Sequence, residues 1–361
     1  MKKQHFFYIS IMYVIAVFYL ATTTPISQHE ATIFYTQSNV VSTLMYGGSQ
    51  LINGFLGLRL FFILFGFFSI ALFYTLSKNY FEKSSDAYLS TTIFMLLPGI
   101  LTATTLANVA IIVLALVLLF VLLYEKSIRL PLPLLMLALF FVHEASIIFF
   151  VALLLYGIVH KDQKLAIGSM AFLVAFIYLA KGIEIGGRPS GHFIEIFGLY
   201  ATVFSPLLFL YFFYAMYRIL LREEKHILWY ISFTALAFSL LLSLRQRVYI
   251  TDFAPYVMIS IIPMLSLLNN SIRVRLPEFQ KYYKRGFSLV VAILLFNTTL
   301  IVFHRLLYLL SDTPSEHFAK RIYQPYNLAK SLQNKGYTCT NEIKQRELYQ
   351  LKYYQITPCH K

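Results

Sequence analysis

The stretch FFYISIMYVIAVFYLATTTPISQHEA, Phe6 to Ala31, decides how the rest of the chain is read. Phe6 to Thr24 carries no charge and approaches the roughly 20 apolar residues that a helix needs to cross the hydrocarbon core. Lys2 and Lys3 precede it as they would in a signal peptide, but no small-residue cleavage site follows and further apolar runs do, so it is expected to stay as a membrane anchor. Pro25 breaks the pattern, and His29-Glu30 then sets one imidazole beside one carboxylate in an otherwise apolar background. Glu30 is the first candidate for chemistry, with His29 as the neighbour that tunes it.

Working outward, 58% of the 361 residues are hydrophobic and only 13% are charged, far from the balance of a soluble domain. The chain is therefore expected to be an all-α polytopic membrane protein. About eleven apolar runs are long enough for transmembrane helices: Phe6 to Thr24, Arg59 to Ser77, Ala87 to Thr102, Ala107 to Tyr124, Leu130 to Val142, Ala145 to Val159, Leu165 to Ala180, Ile196 to Leu221, Ile227 to Leu244, Phe253 to Leu268 and Phe287 to Leu310. Two segments follow from this count, a transmembrane module over residues 1–310 and a short extracytoplasmic tail over 311–361.

The net charge of +14 could suggest nucleic acid, but the cations stand in short gaps between apolar runs, which is a topology signal instead. With the amino terminus in the cytoplasm, sixteen cations fall inside: Lys2, Lys3 and those of the loops at Lys78 to Lys83, Lys126 to Arg129, Lys161 to Lys164, Arg218 to Lys225 and Arg273 to Arg285. The opposite loops before the tail hold only Arg59, Lys181, Arg188, Arg245 and Arg247. An inner-membrane protein with a periplasmic carboxyl terminus is expected. Cys339 and Cys359 are the sole cysteines and both lie in that exported tail, where a disulfide would persist. Ser271 to Arg285 interleaves cations and tyrosines with Leu276 and Phe279, as an interfacial segment on an anionic leaflet would.

Charges near membrane depth are costly unless they face a cavity or each other, so those on the external side form the candidate site. Glu30 and His29 open it, and His143 with Glu144 interrupts the fifth and sixth runs. Arg188 and His192 sit in the flexible loop Gly186-Gly187-Arg188-Pro189-Ser190-Gly191-His192. Arg245-Gln246-Arg247 closes the ninth run and Asp252 opens the tenth, and two guanidinium forks at the membrane edge suit a lipid phosphate. No Gly-rich phosphate loop, metal-spaced Cys/His cluster or internal repeat appears. No cofactor is fixed by these residues, and a divalent metal is left open.

The arrangement resembles the membrane glycosyltransferases of the GT-C fold, especially bacterial relatives of the protein O-mannosyltransferases and the lipid A aminoarabinose transferases. Four stretches carry the likeness. Glu30-Ala31 with Phe34-Tyr35 follows the first run, and Gly57-Leu58-Arg59-Leu60 opens the second, which continues through Phe65-Gly66 and Ala71-Leu72-Phe73-Tyr74 to Lys78. Leu97-Pro98-Gly99 closes the third, and Tyr256-Val257 to Pro263 marks a late one. The chain departs from the pattern in having His29-Glu30 where many members carry Asp-Glu, Asn108 where a second acid stands, and His143-Glu144-Ala145 where a Lys is common.

The resemblance implies a polyprenyl-phosphate sugar donor, transfer on the periplasmic face to a lipid or glycan acceptor of the cell envelope, and inversion at the sugar carbon. It makes Glu30 the candidate base, with Glu144 in place of the missing second acid. Arg59, His143, Arg188, His192, Arg245, Arg247 and Asp252 are the expected substrate-binding set. Two alternatives stand beside it. A polysaccharide polymerase or O-antigen ligase would rest on Arg188, Arg245 and Arg247, whereas a transporter or flippase for lipid-linked glycans would line a pathway with its charges.

Overall fold

The computed structural model describes residues 1–179, 192–310, 319–340 and 344–359. Among the described residues the architecture is all-helical apart from one small ribbon in the tail. The early helices are α1 (Lys3–Thr23), α2 (Gln28–Thr36), α3 (Val40–Leu51), α4 (Phe55–Tyr80), α5 (Ser84–Leu96), α6 (Pro98–Thr105) and α7 (Val109–Glu125). The middle of the chain forms α8 (Leu132–Val142), a 3₁₀ turn at Glu144–Ser146, α9 (Ile147–Val159), α10 (Gln163–Tyr178), α11 (Phe193–Phe204) and α12 (Pro206–Arg222). The remainder comprises α13 (Ile227–Ser243), α14 (Ile250–Met258), α15 (Ile261–Arg273), α16 (Pro277–Val302), α17 (His304–Leu310), α18 (Lys320–Asn334) and α19 (Leu348–Tyr353).

Every one of the eleven apolar runs is occupied by a helix or a broken pair of helices. By length and composition, α1, α4 and α16 can each cross a membrane, and the count rises to six if each bent pair is one span. The chain is thus a multi-pass membrane protein with three to six such spans. Helices α7, α8, α10 and α13, and the stretch Glu144–Val159, are apolar but shorter.

The pairs bend where the backbone loses its helical hydrogen bonds. Leu97-Pro98-Gly99 does not end the third run: α5 stops at Leu96 and α6 resumes at Pro98 with a 61° bend, because proline has no N–H and disfavours helix in the residue before it. Ser205 separates α11 from α12 at 109° with a φ of 85°, again ahead of a proline. The α14–α15 pair bends by 44°. The three breaks adjoin, since a Cβ on Gly99 would come within 2.7 Å of Val203 Cγ1 and 2.8 Å of Met258 Sδ. Only a glycine permits so close an approach.

Two expectations for the ends of elements are corrected. The chain after Pro25 is not an open loop but two helices, each started by a reciprocal cap, Ser27 with Glu30 and Asn39 with Ser42. The eleventh run, Phe287 to Leu310, is likewise not one helix: α16 begins at Pro277 and breaks before His304, while Ser271 to Arg285 spans the end of α15 and the start of α16.

The chain divides into two compact units. One comprises Met1–Met12, Phe65–Ala103 and Val109–Thr298, and its interior is filled by aliphatic and aromatic side chains, with the Phe73 and Phe94 rings stacked at 3.9 Å. Within it α13 packs on α9 and α14, and α7 packs on α8 and α14. The other comprises Tyr13–Leu64, Thr104–Asn108 and Thr299–Lys361, so the tail groups with the first connection and not by itself. There α19 lies on α2, the Gln350 side-chain amide donates to the Ile26 carbonyl at 3.0 Å, and the Ile26 N–H donates to the Tyr354 hydroxyl at 3.3 Å. A two-residue parallel ribbon, β1 (Cys339–Thr340) with β2 (Thr357–Pro358), closes the last part of the tail, and Cys339 and Cys359 are joined in a disulfide.

Candidate functional site

The residues singled out by the sequence fall into two groups, one in each unit. The first is built on Glu30. Ser27 caps α2 by accepting from the Glu30 N–H at 3.2 Å, while its own N–H donates to Glu30 Oε2 at 2.9 Å. Arg59, in the first turns of α4, meets the same carboxylate with both arms of its fork, Nε to Oε1 and Nη2 to Oε2, each at 2.8 Å. The Ala107 N–H, in the break between α6 and α7, donates to Oε1 at 2.9 Å.

The remaining guanidinium hydrogens close the end of α1. Nη1 donates to the carbonyls of Ala21 at 3.1 Å and Thr24 at 2.7 Å, and Nη2 donates to Pro25 O at 3.1 Å. A cation suits that place, where the last carbonyls of a helix lack partners. Glu30 is 1% and Arg59 0% exposed.

These contacts correct the expectation that Glu30 faces a wet cavity. Its two oxygens accept four hydrogen bonds and lie out of water, so no lone pair is left for an acceptor's proton. Burial pushes its carboxyl up, but the Arg59 charge and the bonds from Arg59, Ala107 and Ser27 outweigh that and hold it below the usual glutamate range. Arg59 is committed in the same way: all five of its N–H groups donate to protein oxygens. His29, beside this pair in sequence, is exposed.

The second group lines a cleft of about 390 Å³ in the other unit. His143 ends α8 in an extended conformation, which turns the chain and presents Glu144 at the start of the 3₁₀ turn. Asp252 stands in the first turn of α14, and His143 Nε2 and Asp252 Oδ1 lie 3.2 Å apart. Gln246, Arg247 and Tyr249, from the connection between α13 and α14, complete the polar wall. Glu144 is exposed, so its carboxylate is open to a ligand in the cleft.

Arg247 does not pair with Asp252. Its Nε donates to Glu195 Oε1 at 2.8 Å, and His192 Nδ1 lies 3.1 Å from the other oxygen of that carboxylate. Glu195, in the first turn of α11, is the link between His192 and Arg247. This pair is largely solvated, with Arg247 71% and Glu195 33% exposed, so it can open at little cost. Arg245 has its own interactions and is not among the residues of the cleft wall. Arg188 lies outside the described residues. Among the described residues no three His, Cys, Asp or Glu side chains gather to hold a metal ion.

Sequence reading placed the carboxylates but not their partners. A signal for one of them was present: Ser27-Gln28-His29-Glu30 has the spacing of a capping box, which ties the glutamate to the backbone before any chemistry is assigned to it. Gln350 and Tyr354, which fix the turn at Ile26, carry no motif.

Comparison with known proteins adds the fold. No family model and no curated protein sequence matches the chain. Solved structures do. ArnT from Cupriavidus metallidurans in the apo state superposes with a TM-score of 0.53 at 13% identity, over 96% of this chain and 73% of that one. The same enzyme bound to undecaprenyl phosphate gives 0.56 at 10% identity, over 98% and 75%. The chain therefore has an ArnT-like GT-C fold, as its resemblance to the aminoarabinose transferases implied.

Proposed function

We propose that this chain is a glycosyltransferase that takes a sugar from a polyprenyl-phosphate donor and passes it to a cell-envelope acceptor on the extracytoplasmic face. One observation carries the reading. In a chain with a GT-C fold, two carboxylates, an imidazole and a guanidinium from two stretches about a hundred residues apart line one cleft large enough for a sugar. The ArnT structure that holds undecaprenyl phosphate supports the lipid class of the donor.

In this reading Glu144 is the base. It accepts the proton of the acceptor hydroxyl as that oxygen bonds to the anomeric carbon, the bond from that carbon to the phosphate oxygen breaks, and configuration inverts. Arg247, released from Glu195, takes up the charge that develops on the departing lipid phosphate. Asp252 orients His143 at the cleft wall, where the imidazole donates to the sugar. His192, linked to Arg247 through Glu195, extends the binding surface beside the cleft. Glu30 and Arg59 are positioning residues that fix the first connection. The full eleven crossings, the cytoplasmic amino terminus and an inner-membrane location belong to the same proposal, supported by the cation asymmetry.

The three broken helix pairs favour a second reading, movement of a lipid-linked glycan across the membrane, because discontinuous helices recur in transporters. One experiment separates them. Purified protein in detergent, incubated with a radiolabelled polyprenyl-phosphate sugar and an envelope extract, should move label from the lipid to a second product. Label that stays on the lipid in detergent, but changes leaflet in proteoliposomes, would favour transport and defeat the transferase.

A further inference from the structure

A second cavity lies well away from that cleft in sequence and in chemistry. It occupies about 550 Å³ between the start of α5, the end of α15 and the first turns of α16. Lys83, Arg273 and Lys284 border it, against a single carboxylate, Asp86. Asp86 is already committed: it accepts from the Asn269 amide at 3.1 Å and from the Ser85 hydroxyl at 3.0 Å, and Arg273 stands 3.9 Å away. That leaves the ammonium groups of Lys83 and Lys284 without a counter-charge on the cavity wall.

Leu89, Leu268, Ile272 and Phe287 also line the cavity. A cavity walled by both cations and apolar side chains matches an amphiphile better than a soluble anion. Its surroundings agree. Only 11% of the most apolar window of α16 is buried, so that helix presents its length to lipid. The connection leading into it exposes Val274 at 88% and Leu276 at 68%, with Phe279 and Tyr282 beyond them. Large apolar side chains interleaved with lysines and arginines are the pattern of a segment lying in the headgroup layer.

We infer that this cavity is a binding site for an anionic phospholipid, its phosphate held by Lys83, Arg273 and Lys284 and its first acyl carbons against Leu89, Leu268 and Phe287. Basic pockets between membrane helices commonly take such headgroups. The site uses no residue of the proposed transfer chemistry and stands whether or not that chemistry is right.

The test uses the full-length protein in a neutral detergent, titrated with phosphatidylglycerol or phosphatidylcholine and read by native mass spectrometry. Wild type should retain phosphatidylglycerol in preference to phosphatidylcholine. The double change Lys83→Gln, Lys284→Gln keeps both positions polar and should weaken retention about 30-fold, the effect expected of two lost charges near a membrane surface. Phe287→Ala should weaken it by a smaller factor, through the acyl contact alone, and serves if the double variant misfolds. Inorganic phosphate and glycerol 3-phosphate at the same concentrations should not compete. Equal retention of the two lipids, or unchanged retention in the variants, would overturn the site. Displacement by inorganic phosphate would overturn the lipid and leave a site for free phosphate.

Discussion

At the scale of single residues, Glu30 shows how burial decides whether a carboxylate can do chemistry. Removing one partner of a buried ion pair leaves the other charge uncompensated, so Glu30→Gln should cost about 3–5 kcal/mol of stability. The loss should appear as a lowered unfolding midpoint in detergent. Its pH dependence has a definite sign. The folded pKa lies below the unfolded one, so the stabilisation is complete above the ordinary glutamate value of about 4.3 and disappears as the pH falls through the depressed folded value. Wild type should therefore lose stability in acid below about pH 4 and show no such slope near neutrality, whereas Glu30→Gln should lack the acid limb. A wild-type midpoint in Glu30→Gln would mean that the Arg59 contact is not formed. Arg247 behaves oppositely because it is solvated: Arg247→Ala should leave the midpoint near wild type and raise the apparent Kd for the donor, with Lys restoring part of it. Unchanged donor affinity in the alanine variant would remove Arg247 from phosphate recognition.

Among elements, the junction of α3 with α4 is the tightest constraint on Arg59. A Cβ on Gly57 would stand 1.7 Å from the Ile52 carbonyl oxygen and 3.0 Å from that of Gly48, both backbone atoms that cannot swing aside. Gly57→Ala should thus displace the first turn of α4, and overpacking of this kind costs about 1–3 kcal/mol. Gly198→Ala, with nothing within 4 Å of its added Cβ, is the control and should be neutral. Equal thermal midpoints for the two variants would refute the close approach. The elements also show what sequence could and could not give. Apolar runs located the helices they cover, because burial and lipid contact demand the same side chains over a helical length, but α2, α3, α18 and α19 lie outside every run. The run at Ile196 to Leu221 looked continuous, yet it folds back at Ser205, because Pro206 is as acceptable at the first position of a new helix as it is disruptive in the middle of an old one. Gly57 was legible as part of a motif, but its reason, contact with a carbonyl five residues earlier, appears only in three dimensions.

For the whole molecule, pairings distant in sequence were the hidden part. Arg59 reaches Glu30 across 29 positions and His143 reaches Asp252 across 109, and neither spacing follows from local periodicity. The cysteines were readable because both fall in one polar segment, and the structure joins them. That disulfide carries a topological consequence: it persists only where the tail is outside the reducing cytoplasm. Protein isolated with a thiol-alkylating reagent and no reductant should give a peptide map with Cys339 linked to Cys359, and reduction should cost the tail about 3 kcal/mol for a loop of this length. Free alkylation of both would place the tail on the cytoplasmic side and reverse the face assigned to the cleft.

The central claim is that chemistry belongs to the cleft of Glu144 and Asp252 and not to the buried Glu30. Turnover by Glu144→Gln, assayed with a polyprenyl-phosphate sugar extracted from the source cells, tests it most directly. The amide keeps the shape of the side chain and cannot take a proton, so the rate should fall by about 10² to 10⁴-fold while the thermal midpoint and donor binding stay near wild type. Wild-type turnover in Glu144→Gln would contradict the account.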